Sequence, residues 1–223
     1  MIIPGRTAVL FDLDGTLVDS APDLCGALNA LLAEHGRAPI SLDQARPHTS
    51  SGARGMIAAG FGYAGEHPDY PALKDRFLDL YQERLAQDSH LFEGVTELLD
   101  QLDAAGIPWG IVTNKAMRFT DPLVAALGLA ARSQVVVSGD TTAHAKPHPA
   151  PLLEGARRLA WPASECVYVG DDLRDVQAAQ AAGMRSVVAL YGYLGTGTSP
   201  EDWGGDVSVA HPLQIGALIT ERS

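Results

Sequence analysis

From about Val95 onward, stretches with apolar residues at helical spacing alternate with short, nearly continuous apolar runs at 107–112, 135–137, 167–169 and 186–190. A similar run, Ala8-Val9-Leu10-Phe11, stands near the N-terminus. Runs of this length fit strands buried on both faces, so the alternation predicts five parallel strands in a doubly wound α/β sheet. Gly106 and Gly183 each follow a helical pattern and precede a strand, the usual place for a glycine helix C-cap. A Gly-rich loop over 191–206 leads to a short terminal strand and helix.

Between 19 and 93 the period changes. Helix-like runs at 22–36, 52–60 and 70–88 follow one another with no convincing strand between them, which predicts an all-helical insertion. The division expected is a core of 1–18 and 94–223 carrying an inserted helical unit of 19–93. Because the insertion leaves just after the first strand and returns before the second, it is expected over the strand ends as a lid. Its hinges would fall at 18–21 and 91–94.

Composition narrows the partners. The formal net charge is -11, and Lys74, Lys115 and Lys146 are the only lysines, which argues against a nucleic-acid backbone partner. Cys25 and Cys166 lie in no CxxC spacing and read as buried, inert thiols. No apolar run reaches the roughly 18 residues that would span a bilayer, and no secretory leader is evident, so the expectation is a cytoplasmic protein without a membrane partner. Oligomeric state is not legible.

The strand ends carry the candidate chemistry. Asp12 and Asp14 follow the first strand, and Gly15 after them permits a tight turn. Two acids there make sense if a divalent cation offsets their repulsion. Thr113 and Asn114 end the second strand and supply neutral donors for phosphoryl oxygens. Lys146, in Ala145-Lys146-Pro147-His148-Pro149, supplies positive charge. Gly170-Asp171-Asp172-Leu173-Arg174-Asp175 ends the fourth strand with acids suited to an oxygen-only magnesium shell. Taken singly, these segments also fit a solvated turn, a helix N-cap and acids at a helix dipole. Arg174 reads as a surface residue.

In this order the four segments resemble the haloacid dehalogenase-like hydrolase superfamily over essentially the whole chain, with the insertion resembling its type C1 cap. The resemblance implies a Rossmann-like core and a Mg2+-dependent phosphomonoester hydrolase. Asp12 would be the nucleophile, forming a phosphoaspartyl intermediate, and Asp14 the general acid and base. Thr113, Asn114 and Lys146 would hold the transferring phosphoryl group. The metal would be held by Asp12, the Asp14 carbonyl and Asp171, with Asp175 acting through water. Asp172 departs from the small hydroxyl residue common at its position.

Within the superfamily the chain resembles phosphoglycolate phosphatases and, through Ser51-Gly52-Ala53-Arg54-Gly55-Met56 and Trp203-Gly204-Gly205-Asp206-Val207, bacterial N-acetylmuramic acid 6-phosphate phosphatases. A small carboxylated phosphate ester is therefore the expected substrate. Ser51 and Gly52 are candidate leaving-group contacts, and Arg54 a candidate carboxylate clamp. A phosphomutase is the closest rival, yet residues 20–33 contain no His, Lys or Arg of the kind such relatives carry there. A phosphonate hydrolase is disfavoured because Lys74, the insertion's one lysine, stands far along the chain from its entrance. A receiver module, which accepts phosphate without turnover, would instead place its acceptor after the third strand, where Asp140 stands.

Overall fold

The computed structural model describes residues 7–63 and 65–220. In chain order the regular elements are β1 (Ala8–Phe11), β2 (Val18–Asp19), α1 (Ala21–Glu34), α2 (Leu42–Ala45), α3 (Gly52–Phe61), α4 (Tyr70–Arg84) and β3 (His90–Leu91). After these come α5 (Val95–Ala104), β4 (Trp109–Val112), α6 (Met117–Ala126), β5 (Val136–Val137), α7 (Ala150–Leu159) and β6 (Cys166–Gly170). The chain then continues through α8 (Leu173–Ala182), β7 (Arg185–Ala189), β8 (Val207–Val209) and α9 (Pro212–Thr220).

Six strands form one parallel sheet in the order β5-β4-β1-β6-β7-β8. The terminal strand joins it as an edge, adding to the five buried runs legible from the pattern. Along β1, Val9 and Phe11 pack toward α5, α6 and α9, while Ala8 and Leu10 pack toward α7 and α8. Both faces are therefore covered, which explains why the strands read as continuous apolar runs. From β1 the chain moves first to β4 and β5 on one side, then crosses to β6, β7 and β8 on the other. Ligand crevices open at such a reversal, at the carboxyl ends of the strands. Register puts Phe11 beside both Ile111 and Val169, so residues just beyond β1, β4 and β6 come together there.

The helices between β2 and β3 build a separate apolar cluster. Leu28, Leu31 and Leu32 of α1 meet Met56 and Ile57 of α3 and Phe77 and Tyr81 of α4, and Phe119 of α6 joins them from the sheet side. Both chain crossings are ordered as an antiparallel ribbon pairing Val18 with Leu91 and Asp19 with His90. The expected hinges are thus short strands. Asp23 is fully buried and binds the return crossing: one carboxylate oxygen accepts from the Asp88 amide, the other from the Ser89 amide and hydroxyl. One short element escaped the periodicity. Ser41 and Gln44 form a capping box that starts α2, and Pro47 lies in the 3₁₀ turn Arg46–Ser51 that follows. Four residues are too few for a helical period to register.

Candidate active site

A cavity of about 460 Å³ lies between the inserted helices and the carboxyl ends of β1, β4 and β6. Its floor is charged. The Lys146 ammonium, only 4 % exposed, lies 2.9 Å from Asp12 Oδ1 and 2.7 Å from Asp175 Oδ1, and donates to the Tyr168 hydroxyl at 2.7 Å. Burial alone would discharge it, but Asp12 and Asp175 outweigh that effect and hold the lysine above its ordinary value. Asp12 Oδ1 also accepts from the Leu13 amide, while Oδ2 has no hydrogen bond among the described residues. Asn114 fixes the lysine's backbone: its side-chain amide donates to the Lys146 carbonyl and its oxygen accepts from the Lys146 amide, both at 2.9 Å.

Oxygens of Asp12, Asp171 and Asp175 all lie within 4.8 Å of one another. Asp171 is buried, accepts from the Thr16 hydroxyl and the Tyr193 amide at 2.9 Å, and has no ion-pair partner among the described residues. Burial, then the negative charges of Asp12 and Asp175, push its carboxyl well above the usual range. Asp175 is raised to about 6, chiefly by burial, with Lys146 opposing. A buried carboxylate cluster short of positive charge is the donor set a hard dication would satisfy. Gly15 makes room for it: at φ +88°, a Cβ there would come within 2.1 Å of Asp171 Oδ2.

Asp14 is held differently. Both of its oxygens accept from the Lys115 ammonium at 3.0 Å, and one also accepts from Ser20. Lys115 sits against Tyr81 of α4, its nitrogen 4.8 Å from the ring centroid. Burial opposes its charge, but Asp14 and Tyr81 hold it above the ordinary lysine range. Burial pushes the Tyr81 phenol up to about 12, with Lys115 pulling the other way.

Residues 9–189 match the family model described as haloacid dehalogenase-like hydrolase. The chain belongs to that family. An N-acetylmuramic acid 6-phosphate phosphatase of Pseudomonas aeruginosa is 42 % identical over 93 % of this chain and 92 % of its own length. A phosphoglycolate phosphatase of Xanthomonas campestris pv. campestris is 47 % identical over 93 % of this chain and 94 % of its own. Among solved structures, a predicted phosphoglycolate phosphatase from Haemophilus somnus superposes with a TM-score of 0.83 at 26 % identity, covering 96 % of this chain and 97 % of that one. The parallel sheet with flanking helices is thus the fold of this hydrolase family.

Asp12, Asp14, Thr113, Asn114, Lys146, Asp171 and Asp175 all line the cavity, as do Ser51 and Gly52. Asn114 differs from its expected use, because its amide is committed to the Lys146 backbone. Thr113 accepts from the Lys115 amide, which leaves its hydroxyl proton for another acceptor. Arg54 is corrected outright. It lies off the cavity, two-thirds exposed, 3.6 Å from Glu66. At 100° per residue, two positions beyond Gly52 on α3 turn a side chain away from the face that looks inward.

Several lining residues escaped the sequence reading. Lys115 follows the recognised Thr113-Asn114 pair directly, and that adjacency was the available signal. Arg174, expected at the surface, forms two bonds with Asp172 and donates to the Ser50 carbonyl, linking the sheet to the inserted helices. Asp172 at the same time caps α8 in a box with Asp175. Lys74 and Arg118 also line the cavity, as does Tyr81. Asp140 does not; it accepts from the Met117 amide, an ordinary cap of α6, which removes the receiver's acceptor position from the site.

Proposed function

We propose that the chain is a phosphomonoester hydrolase of small carboxylated metabolites, working through a phosphoaspartyl intermediate. The observation carrying this reading is the asymmetric bonding of Asp12. One oxygen is fixed by Lys146 and the Leu13 amide, and the other is left free at the cavity floor. In the first half-reaction that free oxygen attacks phosphorus, the ester P–O bond breaks, and Asp14, entering the cycle in its protonated form, gives that proton to the departing alkoxide. In the second, Asp14 takes a proton from water, which attacks phosphorus and releases Asp12 and inorganic phosphate. Lys146 and the Thr113 hydroxyl hold the transferring group, and Asn114 positions Lys146.

Asp12, the Asp14 carbonyl and Asp171 are the residues we assign to magnesium. Asp175 is assigned through water, because the Lys146 ammonium already neutralises it at 2.7 Å and the Asp172 amide takes its second oxygen, whereas no ammonium among the described residues pairs with Asp171. When bound, the ion supplies charge neutralisation at the phosphoryl oxygens. Residues 19–93 are read as the cap over core segments 1–18 and 94–223. The names of the similar enzymes support phosphoglycolate as the substrate, with N-acetylmuramic acid 6-phosphate as the alternative.

Phosphate release from a panel of both compounds, sugar phosphates and nucleotides tests the reading. Turnover should require magnesium, favour carboxylated esters and vanish in Asp12→Asn. A stable phosphoprotein without turnover, or no preference for acids, would overturn it.

A further inference from the structure

Five basic side chains line the cavity, and all three of the chain's lysines are among them. Three are paired: Lys115 with Asp14, Lys146 with Asp12 and Asp175, and Arg174 with Asp172. Lys74 and Arg118 have no ion-pair partner among the described residues; Arg118 lies over the Phe119 ring, 4.4 Å from its centroid. Tyr81, on the same lining, is already engaged by Lys115. Lys74, Phe77, Leu78 and Tyr81 follow the i, i+3, i+4, i+7 spacing of one face of α4.

Resting on the phosphatase reading above, we propose that Lys74 and Arg118 bind a carboxylate of the leaving group. The leaving group is then a carboxylic acid of sugar size. A cavity of about 460 Å³ agrees, since pockets of roughly 300–1,000 Å³ enclose ligands much larger than a two-carbon acid. Lys74 comes from the inserted helices and Arg118 from α6 beside the sheet, so one bound carboxylate ties the two layers together over the reacting phosphate. Arg54, the residue the sequence nominated, has no part in it.

The test compares kcat/KM for N-acetylmuramic acid 6-phosphate and N-acetylglucosamine 6-phosphate, which differ by the lactyl carboxylate. Lys74→Met, Arg118→Met and the double variant are measured beside wild type and Arg54→Ala. Both residues are exposed, so the variants keep the fold, and p-nitrophenyl phosphate turnover monitors the core chemistry. The double variant should lose about 10–100-fold on the acidic sugar, as expected for charged hydrogen bonds, and little on the neutral one, while Arg54→Ala keeps the wild-type preference. A double variant that retains the preference, or that falls equally on both sugars, overturns the assignment. Wild type preferring phosphoglycolate to the sugar acid overturns the size argument alone. Wild type treating acidic and neutral esters alike overturns the underlying reading instead.

Discussion

Lys146 carries the charge balance at the residue scale, because among the described residues it is the one cation touching both Asp12 and Asp175. It leaves Asp171 without a countercharge, and that residue separates metal binding from the rest of the chemistry. Magnesium should raise the melting temperature of the wild type, since a ligand at about 100 times its Kd stabilises by about 2.7 kcal/mol. Asp171→Asn should remove most of that shift and, without metal, leave the protein no less stable, because it relieves a buried carboxylate pushed above its ordinary range. Calorimetry with and without the ion reads both effects; an unchanged magnesium shift in the variant would exclude Asp171 as a ligand. The identities of Asp12, Asp14, Lys146 and Asp171 were legible from the motifs. The single oxygen of Asp12 left free was not, because it depends on where Lys146 lands.

Among the elements, the β2–β3 ribbon decides how the inserted helices leave and rejoin the sheet. Asp23, in the first turn of α1, satisfies backbone groups 65 and 66 residues away. Asp23→Ala should therefore strand two amides and a hydroxyl, at about 1–3 kcal/mol each for groups that water does not reach. Urea unfolding would show the loss, and an unchanged midpoint would mean that the crossings are held by other contacts. The positions of α1, α3 and α4 followed from apolar spacing, although α4 ends at Arg84, short of the expected 88. The ribbon did not, since two-residue strands have no period of their own and exist only because the two crossings lie side by side. Arg54 failed for a related reason: its neighbours Ser51 and Gly52 do reach the cavity, but the facing of a side chain is set by the angle at which α3 docks.

For the molecule as a whole, the sheet and the inserted helices share an apolar contact as well as a cavity. Phe119 of α6 is buried in the inserted cluster, its ring centroid 5.3 Å from that of Tyr81. Phe119→Ala should cost about 3–5 kcal/mol of stability and raise KM for acidic esters, because the same ring supports Arg118. Denaturant curves and substrate titrations test the two parts separately, and a loss of stability without a change in KM would detach the cavity wall from substrate binding. By itself the sequence determined the parallel sheet, the helical insertion, the hydrolase family and the acids and lysine at the strand ends, because strand order and motif position are local properties of a periodic chain. Only the tertiary structure decided which cations face the substrate. Lys74 looked remote because it stands far along the insertion, yet folding α4 over the strand ends brings it to the same cavity as Lys115, Lys146 and Arg118. Proximity across a docking interface depends on how two packed layers meet, and no spacing along the chain encodes that.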